Sequence, residues 1–394
     1  PQPLAPRSGI TLIEVLISMF VLLFGLMGVA AIFPVASHYV LEGDKRDRSS
    51  GLAQIAFEEL KARKILRPKD WAIPYAPTFA VPFIQLGQFT LSANQGHAFV
   101  LDPLGVAAAN RITSPALVGY DYFALNASNG QNPWRTSPTP LKALSGTNWP
   151  IRRLTIDINS HPTNATMMDG QTAETSFRLR DDLAVEQPDA GDRPSVQRWS
   201  VGTGNQLLAR QYTGDYSWLA TVVPTNKNAL LGLASNNNIK DEQYEVTTVV
   251  FYKRDIVPSA STVGSPGSER LIDAEFINGS ELAIYDNVAN NPDAVDLALD
   301  GIKPTFWIAV MGVNQITGAP NDGTFMMKWY KIQAMDDENT QIVTNGSTPA
   351  NGQNGRYMMV QGPDWPPSSY TNLRVAILPG AIDAYTRVMQ VDVE

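Results

Sequence analysis

From Val15 to Ala36 the chain reads VLISMFVLLFGLMGVAAIFPVA, 22 residues that are all apolar or small, with no charge among them. At ~1.5 Å per residue a helix of that length reaches ~33 Å, enough to cross a bilayer core of ~30 Å. A buried core helix is one alternative, but such helices seldom lack a polar face over about six turns. A secretory signal peptide is another, with a shorter apolar region, basic residues before it and a small-x-small cleavage site after it. Here the run is too long for that and leads into a second helical stretch. The run therefore predicts a membrane-competent helix. One carboxylate, Glu14, stands just inside the apolar segment, where an unpaired charge costs about 3 kcal/mol. A pairing or neutralising group is required.

The composition narrows what this helix can carry. Charged residues make up only 17%, against roughly 25% in an average soluble domain, as expected of a surface covered by partners or by lipid. Lys and Arg number 30 and Asp and Glu 38, a net charge of −8, which argues against nucleic acid as a partner. The absence of cysteine removes disulfides, thiolate nucleophiles and cysteine-ligated metal together. The three histidines, His38, His97 and His161, are far apart in sequence and offer little for metal or general-base chemistry.

The residues Ser8-Gly9-Ile10-Thr11-Leu12-Ile13-Glu14-Val15-Leu16 closely resemble the processing and assembly motif of type IV pilins and type II secretion pseudopilins. The resemblance covers roughly the first 66 residues. It implies that a membrane peptidase cuts after Gly9 and methylates the new amine of Ile10. It further implies that Thr11 and Glu14 belong to the assembly region, with Glu14 pairing with the terminal amine of a neighbouring subunit. If the leader, residues 1–9, stays attached, Ile10 has no free amine, and Arg7 of a neighbouring chain is the nearest cationic candidate. Three departures from the family pattern stand out: isoleucine rather than phenylalanine follows the cut, Arg7 is the single basic residue among residues 1–9, and the helix proline, Pro34, comes later than is usual for the family.

Gly25, Gly28 and Pro34 interrupt the helical pattern. Proline removes one backbone hydrogen bond and crowds the preceding turn, and glycine weakens a helix by ~1 kcal/mol. A bend or melted stretch is expected over Gly25–Pro34; small residues placed for close helix contact are the alternative for the two glycines. Beyond a mixed-charge segment, Glu42–Ser50, a helical period resumes with Leu52, Ile55, Ala56, Phe57, Leu60 and Ile65, a stripe suited to packing on a sheet. Residues 10–66 read as one long, interrupted helix, its first half in membrane or filament core and its second half docked on a head.

From residue 67 to 394 the periodicity changes to two. Strands are expected at Tyr216–Val223, Glu245–Tyr252, Thr305–Met311, Thr324–Ile332, Arg356–Val360, Asn372–Leu378 and Thr386–Val393. Long loops are expected at Thr136–Pro150, His161–Thr172, Asp181–Ser195 and Pro258–Ser268, with a weak domain boundary near 197–204. The fold class is α+β: a long N-terminal hydrophobic helix followed by a large β-rich head with long loops.

No nucleotide-binding, nucleophile-elbow or zinc-protease motif is present, and no catalytic residue is assigned. The acidic sets Asp286/Asp293/Asp296/Asp300 and Asp336/Asp337/Glu338 offer oxygen ligands of the kind calcium takes. Neither has the EF-hand spacing, and solvated carboxylates are the plainer reading. Some pseudopilins of the resembling family bind calcium in the head, which leaves Asp293, Asp296 and Asp300 as weak ligand candidates; no other cofactor is implied. Tryptophans spread over the head are read as core or contact residues rather than a sugar-binding platform.

The expectation is a structural subunit of a pilus-like filament that polymerises with copies of itself through its apolar helix. Its implied partners are a prepilin peptidase and inner-membrane assembly machinery, with residence in the inner membrane before assembly and at the cell surface afterwards. A minor pilin, a pseudopilin of a secretion system, or a tip or adhesin subunit is the alternative.

Overall fold

The computed structural model describes residues 11–67, 70–74, 83–85, 98–110, 152–157, 168, 170–179, 215–225, 243–254, 270–285, 292–314, 324–343, 352–365 and 371–390. The chain divides into two units, residues 1–50 and residues 51–394. One helix, α1 (Leu12–Ala62), supplies almost all of the described part of the first and opens the second.

α1 continues through Gly25, Gly28 and Pro34, so the helix does not melt there. One proline removes a single hydrogen bond from a helix of 51 residues, too little to uncouple turns held on either side. Among the described residues a Cβ on Gly25 or Gly28 would meet nothing within 4 Å.

In the second unit Leu52, Ala53, Ala56, Phe57 and Leu60 are buried. Ile55, placed on the packing stripe by its spacing from Leu52, is instead 47% exposed. At 100° per residue it lies about 130° from the centre of the stripe that Ala53 and Phe57 complete. The helix then stops abruptly. Lys64 takes φ +52°, its N–H bonds the Lys61 carbonyl at 3.0 Å, and the Ile65 N–H reaches back to Leu60 at 2.9 Å. This is the paired-bond arrangement in which the left-handed residue is usually glycine. A lysine there costs about 1 kcal/mol of backbone strain.

Six strands follow: β1 (Trp71–Pro74), β2 (Phe83–Gln85), β3 (Phe99–Leu101), β4 (Arg152–Ile156), β5 (Tyr216–Pro224) and β6 (Gln243–Tyr252). Helices α2 (Pro103–Asn110) and α3 (Gly170–Phe177) lie between them in sequence. Seven more strands are β7 (Arg270–Phe276), β8 (Glu281–Tyr285), β9 (Trp307–Asn314), β10 (Thr324–Met335), β11 (Thr340–Gln341), β12 (Asn354–Gln361) and β13 (Thr371–Ile377). Helix α4 (Pro292–Leu299) precedes β9, and β14 (Ala381–Gln390) ends the described chain.

The first sheet has the order β14-β6-β5-β3-β4-β1-β2, antiparallel except for the parallel pair β3–β4. Both of its faces are covered. Tyr216, Trp218, Ala220 and Val222 of β5 share one core with Leu52, Phe57 and Leu60 of α1. Leu219 and Val223, pointing the other way, share a second core with Leu271, Ala309, Met311, Met327 and Trp329. Trp218 stacks on Phe177 with ring centres 4.2 Å apart, and its indole N–H donates to the Ser176 carbonyl at 3.1 Å.

The second sheet closes on itself. Its order is β10-β9-β13-β7-β8-β12, and β12 pairs again with β10, giving a six-stranded antiparallel barrel. β9, β10 and β12 are successive neighbours and β13 returns beside β9, the Greek-key path. Inside it lie Ile284, Ile308, Val310, Tyr330, Ile332 and Val375, joined by Val295, Ala298 and Leu299 of α4. Barrel and sheet are tied by Trp329, whose indole N–H donates to Thr221 Oγ1 at 3.1 Å. Where β12 crosses β8 the backbones come close enough that a Cβ on Gly355 would sit 2.2 Å from the Ile284 carbonyl oxygen. The β7–β8 turn is organised by Asn278, whose Oδ1 accepts the N–H groups of Ser280 and Glu281 at 3.1 and 2.9 Å.

The chain is thus α+β, a long apolar N-terminal helix with a β-rich remainder. The seven expected strands fall on β5, β6, β9, β10, β12, β13 and β14, residues 391–393 of the last lying outside the described residues, while β1–β4, β7, β8, β11 and the three short helices were not anticipated. Of the expected loops, His161–Thr172 is corrected at its end, where Gly170 opens α3. The other three, and the boundary near 197–204, lie outside the described residues.

Candidate functional site

The first thirty residues of α1 are apolar almost without relief, and that apolar surface lies largely exposed. From Leu12 to Leu41 the large apolar side chains are between 48% exposed at Val15 and 79% at Leu12. This is a helix long and apolar enough to cross a membrane. Just beyond, the chemistry reverses: Glu42 pairs with Arg46 at 3.8 Å and Asp44 with Arg48 at 3.0 Å, both one turn apart. Such exposed pairs add only about 0.3–0.5 kcal/mol each, but they mark where the side chains become suited to water.

Glu14 lies in the first turn of α1 and is exposed. Its N–H bonds the Thr11 carbonyl at 3.0 Å, and its own carbonyl accepts from Ser18 Oγ at 2.8 Å. The helix N-terminus favours a carboxylate there by about 0.3–1 kcal/mol. Among the described residues no cation reaches that carboxylate. Arg7, Gly9 and Ile10, the expected leader cation and cleavage pair, lie outside the described residues.

The strongest electrostatic feature of the second unit is internal. Asp102 follows β3 and caps α2: its Oδ1 accepts the Gly105 N–H at 3.0 Å, and Pro103 takes the first helical position, where its missing N–H costs nothing. The same carboxylate receives Arg254 through both terminal nitrogens, at 2.9 and 2.6 Å, and Arg153 through one. Asp102 and Arg153 are fully buried, and the Arg254 side chain is 2% exposed. Burial pushes the Asp102 carboxyl up. The guanidiniums of Arg254 and Arg153 outweigh that and hold it well below the usual carboxylate range. The Asp102-Pro103 pair is a helix-start signal that was legible in the sequence. The two arginines, 51 and 152 residues away, carry no local signal. This cluster joins β3, α2, β4 and the end of β6, and we read it as a structural pin.

The calcium candidates are not gathered into a site. Asp293 and Asp296 on α4, with Asp300 just after it, are all exposed, while Val295, Ala298 and Leu299 turn inward. At that spacing the three carboxylates form the outer stripe of an amphipathic helix. Asp296 is engaged by Arg356 and by Asn339, whose Nδ2 donates at 3.0 Å. Among the described residues no three groups of metal-ligating type converge. Trp218, Trp329 and Trp365 are buried in the cores; Trp134, Trp149 and Trp199 lie outside the described residues.

Comparison with protein-family models, with curated proteins and with solved structures gives no match for this chain.

Proposed function

We propose that this protein is a structural subunit of a type IV pilin-like filament, held in a membrane by α1 before assembly and packed against the α1 helices of its copies afterwards. The observation that carries the reading is the exposed apolar length of α1, together with the segment Ser8–Leu16 that leads into it and its lone carboxylate at Glu14. Twenty large apolar side chains between Leu12 and Leu41 are about half exposed or more. At about 25 cal/mol per Å² they would cost tens of kcal/mol in water, so the helix belongs in lipid or in a bundle.

Moving from one to the other gains little apolar burial, since lipid tails are as apolar as leucine. What decides assembly is then specific: a cation from a neighbour relieves the carboxylate of Glu14, either the amine of a processed Ile10 or Arg7 of an unprocessed leader. The mixed-charge turns that follow, and the docked stretch from Leu52 to Leu60, suit a helix that leaves the apolar environment and anchors a folded body. Electron microscopy of filaments from the expressing cell, with mass spectrometry of their main component, tests the reading. Discrete monomers in the membrane at full expression would refute it.

A minor, pseudopilin-like or tip subunit is the second reading. Its support is the extent of the head, a two-faced sheet plus a closed barrel, which is bulky for a copy repeated at every filament position. Counting copies per filament by quantitative mass spectrometry separates the two.

A further inference from the structure

The end of α1 and the last strand of the sheet enclose a groove of about 350 Å³. Its floor is apolar, with Phe57 and Leu60 buried beneath it; its rim carries Lys61, Lys64, Arg67 and Arg387 and no carboxylate. Arg387 lies over the ring of Phe57, 4.6 Å from its centre, and Arg67 reaches Asp70 at 3.5 Å. Among the described residues Lys61, Lys64 and Arg387 have no carboxylate partner. β14 is the edge strand of its sheet, and Arg387, Val388 and Gln390 are exposed along it, so the groove is open to an incoming segment.

Lys64 adds an independent sign. It occupies the left-handed position at the helix stop, where glycine is the residue of least strain. Strain kept at a solvent-facing position points to a use for the side chain that bears it.

A matching anion is present elsewhere on the same molecule. Asp336, Asp337 and Glu338 form an exposed turn between β10 and β11, held by the Asp336 N–H on the Tyr357 carbonyl at 3.0 Å. Among the described residues no cation faces their carboxylates. The turn belongs to the barrel, whereas the groove belongs to the helix side of the sheet.

We propose that the Asp336–Glu338 turn of one copy docks in the Lys61/Lys64/Arg67/Arg387 groove of the next. This rests on the filament reading above and supplies the contact between heads that it lacks. Turn and groove are different patches, and a copy that gives its turn to one neighbour and its groove to another is joined head-to-tail. Each copy added leaves one groove and one turn free, which is the condition for an open helical polymer rather than a closed dimer. The apolar floor accommodates the methylene stems, and the rim neutralises the carboxylates.

The chain has no cysteine, so the full-length protein in detergent carrying Lys64→Cys and Asp337→Cys holds only the two test thiols. Oxidation with diamide should give a ladder of dimers, trimers and larger species, while either substitution alone gives none beyond dimer. Lys64→Gly is the second measurement: it should raise the unfolding midpoint by relieving the backbone, yet weaken self-association about tenfold, an effect that shrinks as salt is raised. Lys61→Glu with Lys64→Glu should weaken association further, and adding Asp337→Lys with Glu338→Lys should restore it. Absence of a ladder, a ladder that stops at dimers, or unchanged association of Lys64→Gly overturns the contact, as does displacement of the turn by a foreign acidic peptide without loss of assembly. Filaments that form without Lys64–Asp337 cross-links leave the pilin-like reading standing and remove only this contact. A ladder in the absence of any filament does the reverse.

Discussion

Replacing Asp102 with asparagine should cost about 3–5 kcal/mol of stability while leaving the cap of α2 in place. The carboxylate is fully buried and takes two hydrogen bonds from Arg254, one from Arg153 and one from the Gly105 N–H. Asparagine keeps an oxygen for Gly105, and as a cap it is about as good as aspartate. What it loses is the negative charge between two buried guanidiniums, and removing one side of a buried ion pair costs about 3–5 kcal/mol. Asp102→Ala should cost about 1 kcal/mol more, the contribution of the cap. Urea unfolding of the full chain in detergent, followed by fluorescence of the buried Trp71 and Trp218, measures both. The sign with pH follows from the depressed carboxyl. Its contribution is fully present above the ordinary value of 3.8 and is lost as pH falls below that towards the folded value. The wild type should therefore weaken in acid while Asp102→Asn does not share that loss, so their stabilities converge below about pH 3.8. If Asp102→Asn matches the wild type within about 1 kcal/mol at neutral pH, or if the gap fails to narrow in acid, the carboxylate is not what holds the two arginines.

Glu14→Ala should leave expression and membrane retention normal and abolish or sharply reduce filaments, with Glu14→Asp intermediate; wild-type yield from Glu14→Ala would remove the pairing role. Intact-mass measurement of filament-derived protein should show Ile10 as a methylated N-terminus, whereas chains retaining Gly9 would place the pairing cation at Arg7. Gly355→Ala should cost about 1–3 kcal/mol of overpacking, because its Cβ meets the Ile284 carbonyl across the β8–β12 seam; a lowered urea midpoint checks it. Phe57→Ala should cost about 3–5 kcal/mol, since the ring is 1% exposed between the sheet and Arg387, and a loss under 1 kcal/mol would show that α1 is dispensable to that core.

How much of this was legible in the sequence depends on the range of the interaction. The apolar run and the strands at Tyr216–Val223 and Glu245–Tyr252 announce themselves through local composition, and the structure places them as read. β3 and β4 have no such signature: Phe99–Leu101 is three residues long and owes its place to neighbours more than fifty residues away. The closure of the barrel is a pairing of Lys331–Met335 with Met358–Gln361, which no window of sequence contains. Asp293, Asp296 and Asp300 were grouped by their charge, when their spacing relative to Val295, Ala298 and Leu299 marks a helix. Ile55 was misplaced because Ala53, small and easily overlooked, carries the stripe that an isoleucine was expected to carry. The basic groove was invisible for the same reason as the barrel seam: Lys61 and Arg387 are brought together only by the folded chain.

The two-sided burial of β5 has a consequence for how such a protein can change over generations. From Tyr216 to Val223 every side chain is covered, alternately by α1 with α3 and by the barrel. A sheet with one wet face can accept drift at every second position, but this strand offers none, and β6 offers little more. Variation is therefore confined to the connections and to the outer surface of the barrel.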